Sequence, residues 1–238
     1  MIALLDGDII AYRAAAISSD KEQAIENLHQ TVAQWQQGAG CDSCIVALTS
    51  RPSFRYGLYP EYKAHRKDKP KPEWLGDCMQ ELERYTWLRI PDTEGDDVIG
   101  IVSTRGQIGD HVIVTVDKDL RQIPGTHWHP DKGEQVKITE DDADYLFHMQ
   151  WLTGDRTDNI PGIPKVGPVK ACKILDSAGF CDRTLQVLQA YREHGLSPDY
   201  ALTMGRLVRI LTAPEYDGEK IRMWHYLENQ AILEDRHD

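Results

Sequence analysis

The feature that most constrains the fold of this chain is a series of short apolar runs that end in an acidic residue. Residues 1–5 form one run before Asp6, and residues 112–116 (Val-Ile-Val-Thr-Val) form another before Asp117. Runs of this length rich in β-branched residues predict buried strands, and the segments between them carry apolar residues at helical spacing. Strands that alternate with helices predict an α/β fold with a mostly parallel central sheet and helices on both faces.

Acidic residues are concentrated in a few clusters along the chain. Like charges at such short spacing repel one another, and burying them without a partner is unfavourable, so a cation is expected among them. In a parallel sheet, ligands bind beyond the carboxyl ends of the strands. We therefore expect one edge of the sheet to gather candidate metal ligands, which are Asp6, Glu94, Asp96, Asp97 and Asp117.

Carboxylates without matching His or Cys ligands select hard cations, chiefly Mg²⁺ or Mn²⁺. Two such ions form the usual clamp for attack of water on a phosphodiester, and holding both requires many acids. A glycosidase needs only two carboxylates, and the phosphate-binding loop of a kinase or NTPase is absent from the sequence. The pattern therefore predicts a two-metal nuclease.

Two basic segments could bind the nucleic acid. The loop at about 51–71 interleaves cations with aromatic residues, a composition that suits phosphates and unpaired bases. The Gly- and Pro-rich turn at 154–167 leads into a helix, where backbone N–H groups suit a DNA phosphate. The candidate contacts are Arg55, Tyr62, Lys63, Arg66 and Lys67 in the loop, and Gly162, Lys165, Gly167 and Lys170 at the turn.

Composition limits the class of protein. The chain has 238 residues, of which 41% are hydrophobic, so it is globular and not disordered. Its net charge of -11 argues against nucleic acid as a partner, unless basic residues are clustered locally. The odd count of five cysteines does not suggest a secreted framework, and the first apolar run is too short for a signal peptide or membrane span. We expect a cytoplasmic protein that does not bind membranes.

Five motifs occur in an order that resembles the 5′ nucleases of the flap-endonuclease superfamily. They are LDGD (5–8), LYPEYKAHR (58–66), EGDD (94–97), VDKD (116–119) and GDRTDNIPG (154–162). The chain is especially similar to short phage 5′→3′ exonucleases and to the 5′-nuclease domain of bacterial DNA polymerase I. The resemblance implies a two-metal nuclease with a helix–three-turn–helix DNA-binding element.

The resemblance also implies roles for individual residues. The first metal would be held by Asp6, Glu94, Asp96 and Asp117, with Asp97 beside them, and the second by Asp119, Asp155 and Asp158. Lys63 and Arg66 would contact the scissile phosphate, Tyr62 would stack on a base, and Arg13 would bind a further phosphate. Backbone carbonyls of the turn from Ile163 to Val166 would bind potassium.

The chain departs from this family pattern at two positions. The aspartate that usually follows the second strand is absent, since only Thr49 or Ser50 stands there. The turn usually has glycine where this chain has Lys165, and lysine tolerates a positive φ poorly. The first departure concerns one metal ligand, and the second concerns the conformation of the turn.

We expect residues 1–138 to form the catalytic core with an arch-like basic loop, residues 139–212 the helical subdomain, and residues 213–238 a tail that packs back on the core. The predicted function is a 5′→3′ exonuclease or flap endonuclease, a monomer of a bacterial or phage-infected cytoplasm. It would act on DNA with 5′ ends, flaps or branches, and RNA primer–DNA hybrids remain open as substrates. The alternatives are a catalytically impaired DNA-junction-binding protein and a ribonuclease of the same core fold.

Overall fold

The computed structural model describes residues 1–66, 69–177, 179 and 182–226, and the chain divides into two compact units. The first unit contains Met1–Ser53, Lys69–Thr139 and Ile210–Lys220. The second contains the described residues of Phe54–Asp68, Glu140–Arg209 and Ile221–Asp238. Most of the basic loop therefore belongs to the helical unit and not to the α/β core, and residues 221–226 belong there as well, which corrects the expected division.

The first unit is built on a six-stranded sheet. Its strands are β1 (Ile2–Asp6), β2 (Ser43–Ala47), β3 (Trp87–Leu88), β4 (His111–Val114), β5 (Gly125–His129) and β6 (Glu134–Ile138). They lie in the order β3-β2-β1-β4-β5-β6, and every neighbouring pair is parallel except β5 and β6. In the register, Leu4 of β1 lies between Ile45 and Ile113.

Nine α-helices are present among the described residues. They are α1 (Gly7–Ala16), α2 (Lys21–Gly38), α3 (Arg55–Leu58), α4 (Leu75–Leu82), α5 (Gly95–Thr104), α6 (Glu140–Thr153), α7 (Pro168–Leu175), α8 (Arg183–Glu193) and α9 (Pro198–Val208). Short 3₁₀ turns occur at Ala64–Arg66, Asp119–Gln122 and Ala213–Glu215. In the described part of the chain, no helix is long and apolar enough to cross a membrane.

Both faces of the sheet are covered because successive side chains of a strand point to opposite faces. Ala3 and Leu5 of β1 pack in one cluster with buried residues of α1, α2 and α4. Leu4 packs in another cluster with Val98 and Ile99 of α5. The predicted α/β fold with helices on both faces of a mostly parallel sheet is therefore confirmed.

The second unit is helical around a core of aromatic residues. Trp151 is fully buried in α6, stacks on Phe147 and lies edge-on to Trp224. Gly205 of α9 allows this packing, since a Cβ there would lie 2.8 Å from the ring of Trp224. The helix α9 begins at Ser197, whose hydroxyl accepts a hydrogen bond from the backbone N–H of Tyr200.

Helix α1 is favoured by Asp6, which is a good N-cap, and by the three alanines at residues 14–16. Residues 220–224 contain no regular strand. Residues 227–238 lie outside the described residues.

Candidate active site

The strand order creates a crevice at the carboxyl ends of β1 and β4. From β1 the sheet extends in one direction through β2 and in the other through β4, so the connections leave on opposite sides. Ligands of open α/β sheets bind at such a switch point. Asp6 is the last residue of β1, and Thr115 directly follows β4. The Thr115 hydroxyl donates a hydrogen bond of 3.2 Å to Asp6 Oδ2.

Asp6 is buried with only neutral hydrogen-bond donors. Its side chain is 3% exposed, and its Oδ1 accepts a 3.2 Å hydrogen bond from the backbone N–H of Ile9 as the N-cap of α1. Burial is the main reason that the pKa of Asp6 is raised to about 7, and the charges of Asp8 and Asp117 act in the same direction. In the described part of the chain, no Lys, Arg or His forms an ion pair with Asp6. Its charge is therefore available to a cation from solution.

Asp8, two residues further on, is held by Thr49 at the end of β2. The Thr49 hydroxyl donates a short hydrogen bond to Asp8 Oδ2, and the Thr49 backbone N–H lies 3.4 Å from Asp8 Oδ1. Burial raises the pKa of Asp8, while the hydrogen bonds from Thr49 and the charge of Arg51 oppose that increase. Thr49 stands where the family pattern has an aspartate, and its hydroxyl donates a hydrogen bond to a carboxylate that is not among the expected metal ligands.

The acids after β3 begin α5 and divide into two kinds. Glu94 is the N-cap residue and, like Asp96, is half-buried. Asp97 is fully buried, and its two oxygens accept hydrogen bonds from the backbone N–H groups of Glu94 (3.0 Å) and Leu211 (3.1 Å). This geometry gives Asp97 a structural role in the first unit, in place of the metal-ligand role expected from the sequence.

Asp117 and Asp119 are arranged by the turn that follows β4. The backbone N–H of Asp117 donates to the Thr115 hydroxyl over 2.9 Å, and that of Asp119 donates to Asp117 Oδ1 over 2.8 Å. Both side chains are half-buried. Across the residues that the structure describes, no three Asp, Glu, His or Cys side chains are grouped closely enough to hold a metal ion as they stand. The acids are carboxylate donors, but they do not form a closed coordination shell.

In the second unit, three side chains of the basic loop contact Asp158. It accepts a 3.1 Å hydrogen bond from the Tyr62 hydroxyl and lies 3.4 Å from Lys63 Nζ and 2.6 Å from Arg66 Nη2. Arg66 also donates to the carbonyl of Thr157, and the Lys63 backbone N–H donates to the carbonyl of Asp158. The structure thus brings together Lys63 and Arg66, the two predicted phosphate-binding cations. Both are paired with Asp158, which is a predicted metal ligand.

Two predicted DNA contacts of the loop are interior residues. Tyr62 is 1% exposed and belongs to the hydrophobic core of the second unit, so its ring is not presented for base stacking. Arg55 is 3% exposed, and its guanidinium donates to the carbonyls of Leu207 (2.9 Å) and Arg209 (2.6 Å) at the end of α9. A cation is favourable there because the last carbonyls of a helix lack partners within the helix. Both DNA-binding assignments are therefore corrected.

The turn between α6 and α7 contains a tight backbone crossing. Gly162 is buried, and a Cβ on it would lie 2.3 Å from the backbone nitrogen of Gly154, so no other residue fits. Gly162 therefore has a packing role, in place of the DNA contact that the sequence predicted. Lys165 adopts φ +64°, so the left-handed conformation is kept although the residue is lysine. Lys165, Gly167 and Lys170 are exposed, as a phosphate contact requires.

The remaining predicted site residues have varied surroundings. Asp155 begins the same turn, and its Oδ1 accepts a 2.7 Å hydrogen bond from the Thr157 backbone N–H. Ile163 and Val166 are buried, and the Val166 N–H donates to the Ile163 carbonyl over 3.1 Å. Arg13 forms a bidentate pair with Asp131 at 2.6 and 2.7 Å. Lys67 lies outside the described residues.

Sequence reasoning missed the hydroxyl residues that organise the acids. Thr115 holds both Asp6 and the backbone of Asp117, and Thr49 holds Asp8. Their position offered a signal, because each lies within two residues of the end of a strand and precedes an acidic or basic segment. Hydroxyl groups there can bond to neighbouring carboxylates without adding charge.

Comparisons with known proteins agree with the fold and the motifs. The family model described as the 5′-3′ exonuclease, N-terminal resolvase-like domain, matches residues 1–146. The exonuclease of Escherichia phage T7 is 36% identical over 129 residues, which cover 50% of this chain and 42% of that protein. The thermostable DNA polymerase I of Thermus aquaticus is 28% identical over 212 residues, which cover 79% of this chain and 25% of that protein.

A solved structure gives the same fold. The T5 5′-exonuclease, determined with bound zinc, superposes with a TM-score of 0.67 at 18% identity, covering 87% of this chain and 88% of that one. The chain spans less than half the length of the curated relatives it matches, from 16% of the DNA polymerase I of Rhizobium leguminosarum to 43% of the exodeoxyribonuclease of phage T3. Because the family model covers more than half of this sequence, the chain belongs to the 5′-3′ exonuclease family, through the N-terminal resolvase-like domain of that family.

Proposed function

We propose that this chain is a divalent-metal-dependent nuclease that hydrolyses DNA phosphodiesters from 5′ ends or at 5′ flaps and leaves 5′-phosphate products. The observation that carries the proposal is Asp6, a carboxylate buried at the switch point of the sheet whose partners are neutral donors. A cation from solution would neutralise its charge. Membership of the 5′-3′ exonuclease family supports the reaction.

The donor set fits Mg²⁺ or Mn²⁺, because the candidate ligands are carboxylates. We propose Asp6, Glu94, Asp96 and Asp117 as ligands in the first unit. Metal-ligand roles are also proposed for Asp119 in the first unit and for Asp155 and Asp158 in the second. Among the described residues, no three of these acids are grouped closely enough to hold an ion as they stand. These residues would hold two such ions, whose chemistry is the activation of water and the stabilisation of the leaving oxygen.

The cations of the second unit would act on the DNA. Lys63 and Arg66 are proposed to bind the scissile phosphate, where a fixed positive charge stabilises the charge that develops during the reaction. Lys165, Gly167 and Lys170 are exposed at the start of α7, where backbone N–H groups and side-chain cations suit a backbone phosphate. Arg13 is proposed as a further phosphate contact, for which it would exchange its partner Asp131.

A potassium ion is proposed at the turn that contains Ile163 and Val166. The support is conformational, since Lys165 keeps the positive φ that the family's glycine would adopt. Potassium would stabilise a carbonyl arrangement that a DNA phosphate can approach. The measurement is DNA affinity in KCl against NaCl at equal ionic strength, and equal affinities would remove potassium from the proposal.

The function is tested with the purified protein and two 5′-labelled substrates, a blunt duplex and a matched 5′-flap duplex, with Mg²⁺ or with EDTA. Labelled mononucleotide from the duplex would make the chain an exonuclease, and a flap-length product would make it a flap endonuclease. The Asp117→Asn variant controls for contaminating nucleases. A metal-dependent product from the wild type that this variant also releases at the same rate would refute the proposed site.

If neither substrate is cut and both are still retarded on a native gel, the chain is a binding protein. A matched RNA duplex, added as a third arm, separates a DNA nuclease from a ribonuclease of the same fold. An RNA primer–DNA hybrid forms the fourth arm and decides whether primers are included among the substrates.

A further inference from the structure

Asp8 is a carboxylate of the first unit that no motif role accounts for. It is the second residue of α1, two residues after Asp6, and it is half-buried. Both of its oxygens are directed to Thr49, one to the hydroxyl and one to the backbone N–H. Thr49 lies just beyond β2, so Asp8 is fixed between the carboxyl ends of two neighbouring parallel strands.

Thr49 extends this connection to a third element. Its hydroxyl accepts a 2.9 Å hydrogen bond from the backbone N–H of Gly95, the first residue of α5. The same helix turn carries Glu94 and Asp96, two of the proposed metal ligands. One hydroxyl therefore fixes Asp8 relative to the start of α5, and a Cβ on Gly95 would itself lie 3.4 Å from Asp8 Oδ2.

A purely structural role does not explain the charge of Asp8. An acid in the first turn of a helix gains roughly 0.3–1 kcal/mol from the helix dipole. Against this gain, burial and the negative charge of Glu94 raise the pKa of Asp8, and the hydrogen bonds from Thr49 and the charge of Arg51 oppose this increase without cancelling it. An asparagine would keep an acceptor for Thr49 without this repulsion. The charged form of Asp8 is therefore disfavoured in the metal-free fold, and a further cation would stabilise it.

We propose that Asp8 belongs to the metal-binding carboxylates of the first unit, and that Thr49 is the residue that positions it. The inference rests on the proposed function, which it extends by one charged residue and one neutral residue. Asp8 would supply the negative charge near the end of β2, where the family pattern has an aspartate and this chain has Thr49. The Thr49 hydroxyl holds the Asp8 carboxylate near the start of α5, where Glu94 and Asp96 lie.

The test measures binding of Mn²⁺ alone to the purified full chain by titration calorimetry, together with thermal unfolding in EDTA. We expect Asp8→Asn to weaken Mn²⁺ binding by about 10- to 100-fold, the usual range for removing a supporting residue of a metal site. Its unfolding temperature in EDTA should be equal to or higher than that of the wild type. Asp42→Asn, which removes an exposed acid at the other end of β2, controls for net charge.

The positioning role of Thr49 is tested with variants that remove or keep its hydroxyl group. Thr49→Val should weaken Mn²⁺ binding by about tenfold, and Thr49→Ser should restore it. Thr104→Val is the matched control, because the Thr104 hydroxyl also donates one hydrogen bond and accepts another, donating to the carbonyl of Gly100 and accepting from the backbone N–H of Ala213. That variant should lose stability to a similar degree and bind Mn²⁺ as the wild type does.

Each outcome separates this inference from the proposed function. If the wild type binds Mn²⁺ and Asp117→Asn weakens binding while Asp8→Asn does not, the role of Asp8 is refuted and the nuclease proposal stands. A lower unfolding temperature of Asp8→Asn in EDTA, with unchanged Mn²⁺ affinity, would make Asp8 structural. If the wild type binds no Mn²⁺, both proposals fail.

Discussion

Asp6 in the first unit and Asp158 in the second were both predicted to bind metal, yet their surroundings are opposite. Asp6 accepts hydrogen bonds from a backbone N–H and from the Thr115 hydroxyl, both neutral. Asp158 accepts from Tyr62 and pairs with the charged groups of Lys63 and Arg66. One carboxylate is buried with its charge uncompensated, and the other is neutralised by the protein itself.

Carboxylates that lie in similar acidic motifs can therefore have opposite effects on the stability of the fold. A buried carboxylate with neutral partners destabilises the metal-free fold and attracts a cation. A carboxylate paired with lysine and arginine stabilises its own unit, and a divalent ion must displace those cations before it can bind. Three substitutions and a change of pH test this contrast, in order from the largest expected effect to the smallest.

The largest effect is expected from Asp6→Asn. Asparagine is as good an N-cap as aspartate and can still accept from Thr115, so the fold should be kept. Cleavage with Mg²⁺ should fall by at least about 100-fold, because even a supporting residue of a metal site accounts for 10- to 100-fold. Single-turnover cleavage and thermal unfolding in EDTA measure the two properties. If Asp6→Asn unfolded at a lower temperature than the wild type in EDTA, the contrast between Asp6 and Asp158 would be contradicted.

The pH dependence of the metal-free protein sharpens the same contrast. In the unfolded chain Asp6 loses its proton near the ordinary aspartate pKa of 3.8, whereas in the folded protein the pKa is raised to about 7. Between these values the folded state holds a proton that the unfolded state has lost, so stability falls as the pH rises from about 4 to 7. One such group changes the free energy of unfolding by at most ~1.4 kcal/mol per pH unit.

Urea unfolding in EDTA at several pH values measures this slope. Asp6→Asn should make the slope shallower within that window and leave it unchanged above about pH 8. A divalent cation should reverse the trend, because it binds the deprotonated carboxylate. An identical slope for the wild type and Asp6→Asn would show that Asp6 is not the titrating group.

A smaller effect of opposite sign is expected from Asp158→Asn. The variant leaves Lys63 and Arg66 without their charged acceptor, so the free energy of unfolding of the metal-free protein should fall by about 1–2 kcal/mol. Urea unfolding in EDTA gives the value, and a double-mutant cycle with Arg66→Gln isolates the ion pair. An additive cycle would mean that Arg66 does not stabilise Asp158, and the contrast with Asp6 would then be lost.

The smallest effect is expected from Lys165→Gly in the second unit. Lysine at φ +64° is in a conformation that glycine adopts without strain, so the variant should be more stable by up to about 1 kcal/mol. If Lys165 contacts a phosphate, the slope of log affinity for DNA against log salt should decrease by about 0.9. Lys165→Gln keeps the strain and removes the charge, so it should change only the salt slope.

The sequence was sufficient to predict the sheet, its parallel character and the position of Asp6 and Asp117. Alternation of strands and helices is a property of the sequence pattern, and each of these acids directly follows an apolar run of the sequence. Burial of polar residues could not be predicted in the same way. Arg55, Tyr62 and Asp97 sit in basic or acidic motifs that suggest exposure, but each satisfies groups that are distant in sequence, such as the carbonyl of Leu207 for Arg55.

The hydrogen bond from Leu211 to Asp97 has a consequence for how the first unit is assembled. The chain leaves this unit after Thr139 and returns at Ile210, so this donor to Asp97 comes from a segment made much later in synthesis. Closing such a long loop is entropically costly and slows folding. Until Leu211 arrives, Asp97 has an oxygen without this donor. A chain stopped after residue 146, where the family match ends, would therefore carry all six strands that the structure describes and still lack the Leu211 donor to Asp97.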